Sequence, residues 1–146
     1  MNIHIIDQTD SLWFPVAEYA DTASWDACAR MATFMREGKF TDWERLFVAE
    51  ESGTFMGFCA LVKPQNFLGA EYNPLIKWLF VDEKYRGQRL SQKLIEAAAA
   101  YAKELGYDHI YLTTWHIGLY EKYGFVKICE KEVRDGYSEG VYGKKI

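Results

Sequence analysis

The feature that most constrains the fold is an apolar run from Leu75 to Val81 that leads, through one glycine-containing turn, into an amphipathic segment. Apolar residues in that segment recur at three- and four-residue steps, at Leu90, Leu94, Ala97, Ala98, Tyr101 and Leu105, and Gly106 ends it. A helix with one apolar stripe must bury that stripe against a sheet or another helix. The chain is therefore expected to form a layered core of sheet and helices.

Signals for further elements lie on both sides of this unit. Apolar and β-branched runs predict strands at 3–6, 45–50, 54–62, 110–114, 125–132 and 140–145. Helical spacing between Leu12 and Glu37 predicts two helices or one bent helix, and 117–123 is predicted as a short helix. Residues 64–74, with Gly69 and two prolines, are predicted as a loop. This order predicts the α/β class, with a mixed sheet and helices on both faces.

Length and composition indicate one folded domain. A chain of 146 residues, 49% hydrophobic and 26% charged, fits a single domain over residues 1–146. No apolar run approaches the roughly 18 to 20 residues that span a bilayer. The first residues also lack the basic start and long apolar core of a signal peptide. We therefore expect a soluble, cytoplasmic protein with no membrane partner.

The charge is unevenly distributed. Residues 1–75 contain 5 Lys or Arg against 11 Asp or Glu, and residues 76–146 contain 12 against 10. A nucleic-acid-binding protein is usually basic with a clustered patch, so the net charge of −4 disfavours that class. The asymmetry fits an acidic half that meets a cationic partner and a second half that meets an anionic one. Ordinary solvated surface charge explains it equally well.

The cysteines and histidines are scattered along the chain. The three cysteines form no C-x-x-C pair and give no disulfide framework: Cys28, Cys59 and Cys129. Their apolar flanks favour buried, reduced thiols over reactive ones. No two histidines have the close spacing of a metal site: His4, His109 and His116. We expect no bound metal.

The turn between Val81 and Ser91 is the segment that points to chemistry. A glycine-containing turn that opens a helix directs unpaired backbone N–H groups and the positive end of the helix dipole at one point. Such a point suits an anion, most naturally phosphate. The turn lacks the Gly-Lys-Ser/Thr of a Walker loop and the repeated glycines of a dinucleotide fingerprint. On these residues alone, a phosphate site and a plain strand–helix turn are both open.

Two motifs resemble a known family. The run Arg86-Gly87-Gln88-Arg89-Leu90-Ser91 resembles the Arg/Gln-x-x-Gly-x-Gly/Ala loop of the GNAT superfamily of acetyl-CoA-dependent N-acetyltransferases. The run Leu119-Tyr120-Glu121-Lys122-Tyr123-Gly124-Phe125 is similar to the signature that follows the fifth strand in that family. Together the motifs span about residues 75–130, in the family's order.

The first motif departs from the family pattern at Arg89, which replaces the second glycine, and at Ser91, which is the last small residue of the loop. The first turn of a helix does not demand glycine dihedrals, so Arg89 is expected to be tolerated there. Its guanidinium either adds a cation to the phosphates or points away from them. A damaged cofactor site is the alternative.

The resemblance implies a fold and a cofactor site. The fold would be a mostly antiparallel sheet, splayed between its fourth and fifth strands. Acetyl-CoA would be the co-substrate, with its phosphates on the loop formed by Arg86, Gly87, Gln88, Arg89, Leu90 and Ser91. The backbone of Val81 would pair with the pantetheine arm. The amide of Leu79 would face the thioester carbonyl and stabilise the oxyanion, and Tyr120 would protonate the departing thiolate.

The implied activity is transfer of an acetyl group to a primary amine of a small molecule or peptide, by direct attack in a ternary complex. A non-catalytic acyl-CoA-binding or sensor module with the same fold is the alternative. The protein is expected to be a monomer or homodimer. Some relatives have a glutamate as base at the position of Leu75 here. Glu71, Glu50, a water chain or a neutral acceptor amine remain open as substitutes.

The acceptor site in this family is usually built from the first two helices. Here these helices offer aromatic and acidic side chains that would suit a cationic amine: Trp13, Phe14, Glu18, Tyr19, Asp21, Trp25 and Asp26. An aromatic stripe at helical spacing fits core packing equally well. Trp115 and His116 precede the Tyr120 segment and are expected to border the thioester.

Overall fold

The computed structural model describes residues 1–64 and 68–146. In this part of the chain the strands are β1 (Asn2–Ile6), β2 (Arg45–Glu51), β3 (Thr54–Val62), β4 (Leu75–Val81), β5 (His109–Thr114), β6 (Val126–Arg134) and β7 (Tyr137–Lys145). The helices are α1 (Trp13–Asp21), α2 (Ala27–Arg36) and α3 (Leu90–Glu104). Short 3₁₀ turns occupy Ala70–Tyr72, Glu83–Tyr85 and Tyr120–Tyr123.

The strands form one seven-stranded sheet in the order β1-β2-β3-β4-β5-β7-β6. One apolar cluster joins α1 and α2 to one face of the sheet, where Trp13 is fully buried and packs edge-on against Phe40. A second cluster joins α3 to the opposite face through Leu94, Ile95 and Ala98. The predicted mixed sheet with helices on both faces is confirmed.

Most predicted elements lie within one to three residues of the observed ones. The segment 12–37 forms two helices, not one bent helix. The prediction of a short helix over 117–123 was wrong in extent, since a 3₁₀ turn begins only at Tyr120, after Gly118 adopts φ +89°. The last two strands extend into one long hairpin across 126–145. The predicted loop at 64–74 falls partly outside the described residues, which omit 65–67.

The pairing of β4 with β5 is short. These two strands are parallel and pair at Leu75 with Tyr111, beside a hydrogen bond from the Tyr111 amide to the Pro74 carbonyl at 3.0 Å. Past this point the described strands do not pair. Beyond this point β4 pairs with β3, whereas β5 pairs with β7. The predicted splay is confirmed, and it opens a cleft between the carboxyl ends of the two strands.

A bulge changes the side-chain pattern of β4. Its register with β3 shifts between Phe58 and Ala60, and Trp78 adopts φ +54°. Because an extra residue interrupts the alternation, Lys77 and Trp78 both lie toward α2, with the Lys77 ammonium 4.6 Å from the Trp78 ring centre. The bulge therefore places a lysine and a tryptophan side by side at the wall of the cleft.

The residue that caps the N-terminus of α3 has a strained backbone conformation. Arg89 has φ +58° and ψ +29°, in the left-handed region that favours glycine. The expectation that this position would have ordinary helical dihedrals was therefore wrong. The second glycine of the family loop fits this conformation, and Arg89 occupies it at a cost of about 1 to 2 kcal/mol.

Within residues 1–64 and 68–146, no helix is long and apolar enough to cross a membrane.

We predict that Arg89→Gly stabilises the fold by about 1 kcal/mol, because glycine adopts the left-handed conformation without a Cβ clash. Urea unfolding of the unliganded protein measures this change. Lys93→Gly is the matched control, since Lys93 is exposed inside α3 and glycine there should destabilise the helix by about 1 kcal/mol. Equal destabilisation by both substitutions would contradict the strain at Arg89.

Candidate active site

The cleft between β4 and β5 is a cavity of about 1100 Å³. One end is formed by the turn before α3 and the start of that helix, and the other by α2 and the first half of β4. The Tyr120 turn and β7 contribute to its middle. A cavity at the carboxyl ends of diverging strands can take a long ligand that passes through the sheet.

The turn before α3 offers a cluster of backbone donors. Across Gly87–Ser91, the described structure gives the backbone N–H groups no acceptor, and the first bond of the helix runs from Lys93 N to Arg89 O. Gly87 adopts φ +84°, and a Cβ at this position would meet no atom within 4 Å. Glycine is therefore favoured by the backbone conformation rather than by crowding. These free amides and the helix dipole form an anion site.

The structure brings most of the predicted cofactor residues to one cavity. Those that line it are Leu79, Val81, Arg86, Gly87, Arg89, Leu90, Ser91 and Tyr120. Gln88 is exposed and is not part of the described lining, so its side chain does not support the predicted contact. Its backbone amide remains within the run of free donors.

The edge of β4 at the cleft presents backbone groups. Phe80 pairs with Phe58, and the Asp82 amide donates to Met56 O at 2.9 Å, so these residues face β3. Alternation along a strand then turns the backbone of Val81 toward the cleft. The Arg86 Nε atom donates to the Val81 carbonyl at 3.0 Å, which anchors this side chain on the edge. By the same alternation the Val81 amide is directed to the cleft and not to β3.

Tyr120 lies half-buried at the middle of the cavity. Its ring packs edge-on against Tyr123 and Phe125, with centroids 6.3 and 6.2 Å away. Burial raises the pKa of the phenol to about 12, and nearby Tyr123, Cys59 and Glu139 add to this rise. Among the described residues, nothing accepts a hydrogen bond from its hydroxyl. The phenol is therefore protonated at neutral pH and able to donate into the cavity.

Tyr123 has a different environment. Its hydroxyl lies 2.9 Å from Ser91 Oγ, which joins the Tyr120–Tyr123 turn to the first turn of α3. This contact could not be predicted from the sequence, because the two residues are 32 positions apart. Tyr123 thus supports the loop that carries the free amides.

The two carboxylates suggested as bases do not reach the cavity. Glu50 accepts from His4 Nε2 at 2.9 Å and from the Gly53 amide at 2.7 Å, at the far side of the sheet. Glu71 lies in the Ala70–Tyr72 turn outside the described lining. Glu139 on β7 is the one carboxylate that lines the cavity among the described residues. Sequence reasoning missed it because its strand carries no motif.

The acceptor site suggested from α1 and α2 was wrong in composition. Of its seven residues only Trp25 lines the cavity. Trp13 is buried in the core, Tyr19 donates to Asp82 at 3.1 Å, and Asp21 pairs with Arg36 at 2.6 Å. The three others are exposed outside the described lining: Phe14, Glu18 and Asp26.

The end of the cavity that α2 borders instead has cationic and aromatic side chains. It is lined by Arg30, Phe34, Lys63, Lys77 and Trp78. The predicted strand at 75–81 did not show that Lys77 lies here, because its face is set by pairing with Ala60 on β3 and Trp78 is added beside it by the bulge. Trp115 and His116 line the cavity as expected, with their rings stacked 4.0 Å apart.

The cysteines are free thiols, as predicted, and Cys28 and Cys59 are buried. Cys129 is only partly buried and lies 3.4 Å from the Tyr72 hydroxyl. In the described part of the chain, no three His, Cys, Asp or Glu side chains are grouped so that they could hold a metal ion.

Solved structures with the same architecture are acetyltransferases. An aminoglycoside 6'-N-acetyltransferase complexed with coenzyme A has a TM-score of 0.74 at 15% identity, covering 99% of this chain and 97% of that one. A GNAT family acetyltransferase from Elizabethkingia anophelis with acetyl-CoA bound has a TM-score of 0.67 at 18% identity, covering 99% and 97%. IAA acetyltransferase from Bacillus cereus has a TM-score of 0.65 at 18% identity, covering 99% of both chains.

At these identities the solved structures show a shared fold. A search of curated proteins found no significant match. The family comparison is more specific, because the acetyltransferase (GNAT) family matches residues 7–125, which include the cofactor-loop motif and the Tyr120 motif. This match and the splayed sheet confirm the acetyl-CoA-dependent acetyltransferase predicted from the two motifs. The chain belongs to the acetyltransferase (GNAT) family.

Proposed function

We propose that this protein transfers an acetyl group from acetyl-CoA to a primary amine by direct attack in a ternary complex. The observation that carries the proposal is a single cavity that joins the free amides of Gly87–Ser91 to the Tyr120 hydroxyl and to a separate aromatic end. The phosphates of CoA fit the amides, and the aromatic end leaves space for an acceptor.

Each part of the cavity has a role in the reaction. The Val81 backbone pairs with the pantetheine arm, and the Leu79 amide donates to the thioester oxygen as the carbonyl becomes tetrahedral. The amine nitrogen bonds to the acetyl carbon, and the carbon–sulfur bond then breaks. Tyr120 gives its proton to the sulfur. The burial that raises the pKa of Tyr120 to about 12 also raises the pKa of a thiolate beside it, which keeps this transfer feasible.

An acceptor that arrives as an ammonium ion loses two protons: Glu139 is placed to accept the one lost before attack, and the second, lost from the nitrogen after it bonds to the acetyl carbon, restores the Tyr120 hydroxyl. Glu139 lines the cavity, and its charge is close enough to raise the pKa of Tyr120. The Tyr137 hydroxyl donates to its Oε2 at 3.0 Å and holds the carboxylate in place. We assign Glu139 as the proton acceptor, directly or through a water molecule.

Release of free CoA from acetyl-CoA, measured over a panel of primary amines, tests the activity. Steady thiol release with at least one amine supports the proposal. Binding of acetyl-CoA without thiol release for any amine would contradict it and would favour the non-catalytic binding module.

We predict that CoA raises the Tm, because ligand at 100 times its Kd adds about 2.7 kcal/mol of stability. Gly87→Val should remove the shift, since a β-branched residue disfavours φ +84° and displaces the amides. Gly53→Val is the matched control: Gly53 has φ +82° in the β2–β3 hairpin, outside the described lining, and its variant should keep the shift. A native protein with no shift at millimolar CoA would contradict the site.

We predict that Tyr120→Phe lowers kcat at least about tenfold and changes the KM for acetyl-CoA little, because the hydroxyl acts mainly in the transition state. Tyr123→Phe is the comparison. From the sequence alone, Tyr123→Phe is predicted to have almost no effect. The hydrogen bond between Tyr123 and Ser91 predicts instead that the KM for acetyl-CoA increases a few-fold while kcat is retained. A native kcat for Tyr120→Phe, where chemistry limits turnover, would contradict the acid role.

We predict that Glu139→Gln lowers kcat/KM by about 10²-fold near pH 7, and that the loss shrinks as pH rises toward the pKa of the amine. At high pH the amine is already neutral when it binds, so the reaction depends less on a proton acceptor. A pH profile of both proteins measures this. Glu104→Gln, at the exposed end of α3, is the control and should change neither value. A loss that is independent of pH would contradict the base role.

A further inference from the structure

The most unusual group in the cavity is the side chain of Lys77. It projects from the bulged part of β4 and is half-buried, with its ammonium 4.6 Å from the Trp78 ring centre and 5.9 Å from that of Phe34. Trp78 belongs to the core beneath α2, and Phe34, on α2 itself, is partly buried against that core. The two faces hold the nitrogen at the cavity wall.

The Lys77 ammonium has no polar partner among residues 1–64 and 68–146. It carries three donor hydrogens, and the aromatic faces satisfy none of them as a carboxylate would. Burial lowers the pKa of Lys77, and the nearby Arg30 guanidinium lowers it further. A half-buried cation beside a second cation is costly unless an anion joins them.

Other cavity-lining groups at this end add positive charge and no negative charge. Arg30 is exposed and lines the cavity beside Lys77. Lys63 also lines it, although Asp42 pairs with the Lys63 ammonium at 2.5 Å. The one lining carboxylate in the described structure, Glu139, lies on β7 near Tyr120. Near α2 the described lining therefore carries cations and no carboxylate, while Arg86 and Arg89 line the other end and Arg134 lines the cavity from β6.

We propose that Lys77, with Arg30, binds an anionic group of the acceptor, so that the acceptor is an amine bearing a carboxylate or phosphate. This inference rests on the proposed acetyl transfer and names its substrate class. The anion supplies the acceptor that the Lys77 ammonium lacks. The aromatic wall of Phe34 and Trp78 contacts the apolar part of the same molecule. A polycationic amine is disfavoured by repulsion from both cations.

The first experiment compares amines with and without the anion, and kcat/KM is calculated for the neutral form of each amine because removal of the anion also changes the amine pKa. L-phenylalanine is paired with L-phenylalaninamide, and O-phosphoethanolamine with ethanolamine, in the thiol-release assay. The anionic member of at least one pair should have the higher kcat/KM by at least about tenfold. The two pairs distinguish a carboxylate from a phosphate. Preference for the neutral member in both pairs would overturn the inference.

Variants of Lys77 locate the effect. Lys77→Met keeps the chain length and removes the charge, and it should raise the KM for the anionic acceptor at least about tenfold with kcat changed little. Lys77→Arg should restore much of the loss. Lys103→Met, at the exposed last turn of α3, is the matched control and should change nothing. An equal loss of kcat for anionic and neutral amines would overturn the inference, because it would mark Lys77 as a proton-transfer group.

A binding measurement separates this inference from the proposed reaction. Calorimetry of the CoA-bound protein with N-acetyl-L-phenylalanine, its amide and N-acetyl-phosphoethanolamine requires no turnover. Tighter binding of an anionic product than of the amide, lost in Lys77→Met, supports the anion site even if no thiol is released. Equal binding of the acid and the amide, together with no binding of the phosphate, would overturn it. Absence of thiol release from every amine would overturn the acetyl transfer alone.

Discussion

The divergence of β4 from β5 is the constraint on which the rest of the structure depends. The two parallel strands pair at Leu75 and Tyr111 and then follow different neighbours. An open sheet edge in a core would leave backbone groups without partners. Here the gap reaches the surface as a cavity, and alternation along β4 directs the Val81 amide into it. The same gap joins the two faces of the sheet, which allows a cofactor and an acceptor to meet.

The helices on the two faces serve different ends of this cavity. α3 packs on one face through Leu94 and Ile95, and this packing fixes its N-terminus and the free amides at the cofactor end. α1 and α2 cover the other face, and most of their aromatic residues are used for packing, as Trp13 shows. α2 contributes Arg30 and Phe34 to the end proposed for the acceptor. The family motifs therefore lie on the α3 face, and the proposed acceptor end lies on the α2 face.

Arg89 illustrates a local conflict that the fold tolerates. It takes the left-handed conformation at the cap of α3, in the loop whose backbone must remain open to an anion. Natural sequences often keep such strain near functional sites, where the surrounding structure holds the backbone in place. The 2.9 Å contact between Tyr123 and Ser91 is one such support, since it ties the start of α3 to the turn that carries Tyr120.

The sequence alone determined the strand–turn–helix unit at 75–105, the layered sheet and the family, because periodicity and short motifs encode local structure. Only the tertiary structure showed which residues line the end of the cavity proposed for the acceptor. Pairing with Ala60 places Lys77 on the face that α2 covers, and the bulge that follows adds Trp78 beside it. Pairing of β7 with β5 and β6 places Glu139 in the cavity, far from any motif. Contacts between residues distant in sequence depend on register, and a shift of one residue reverses which face a side chain takes.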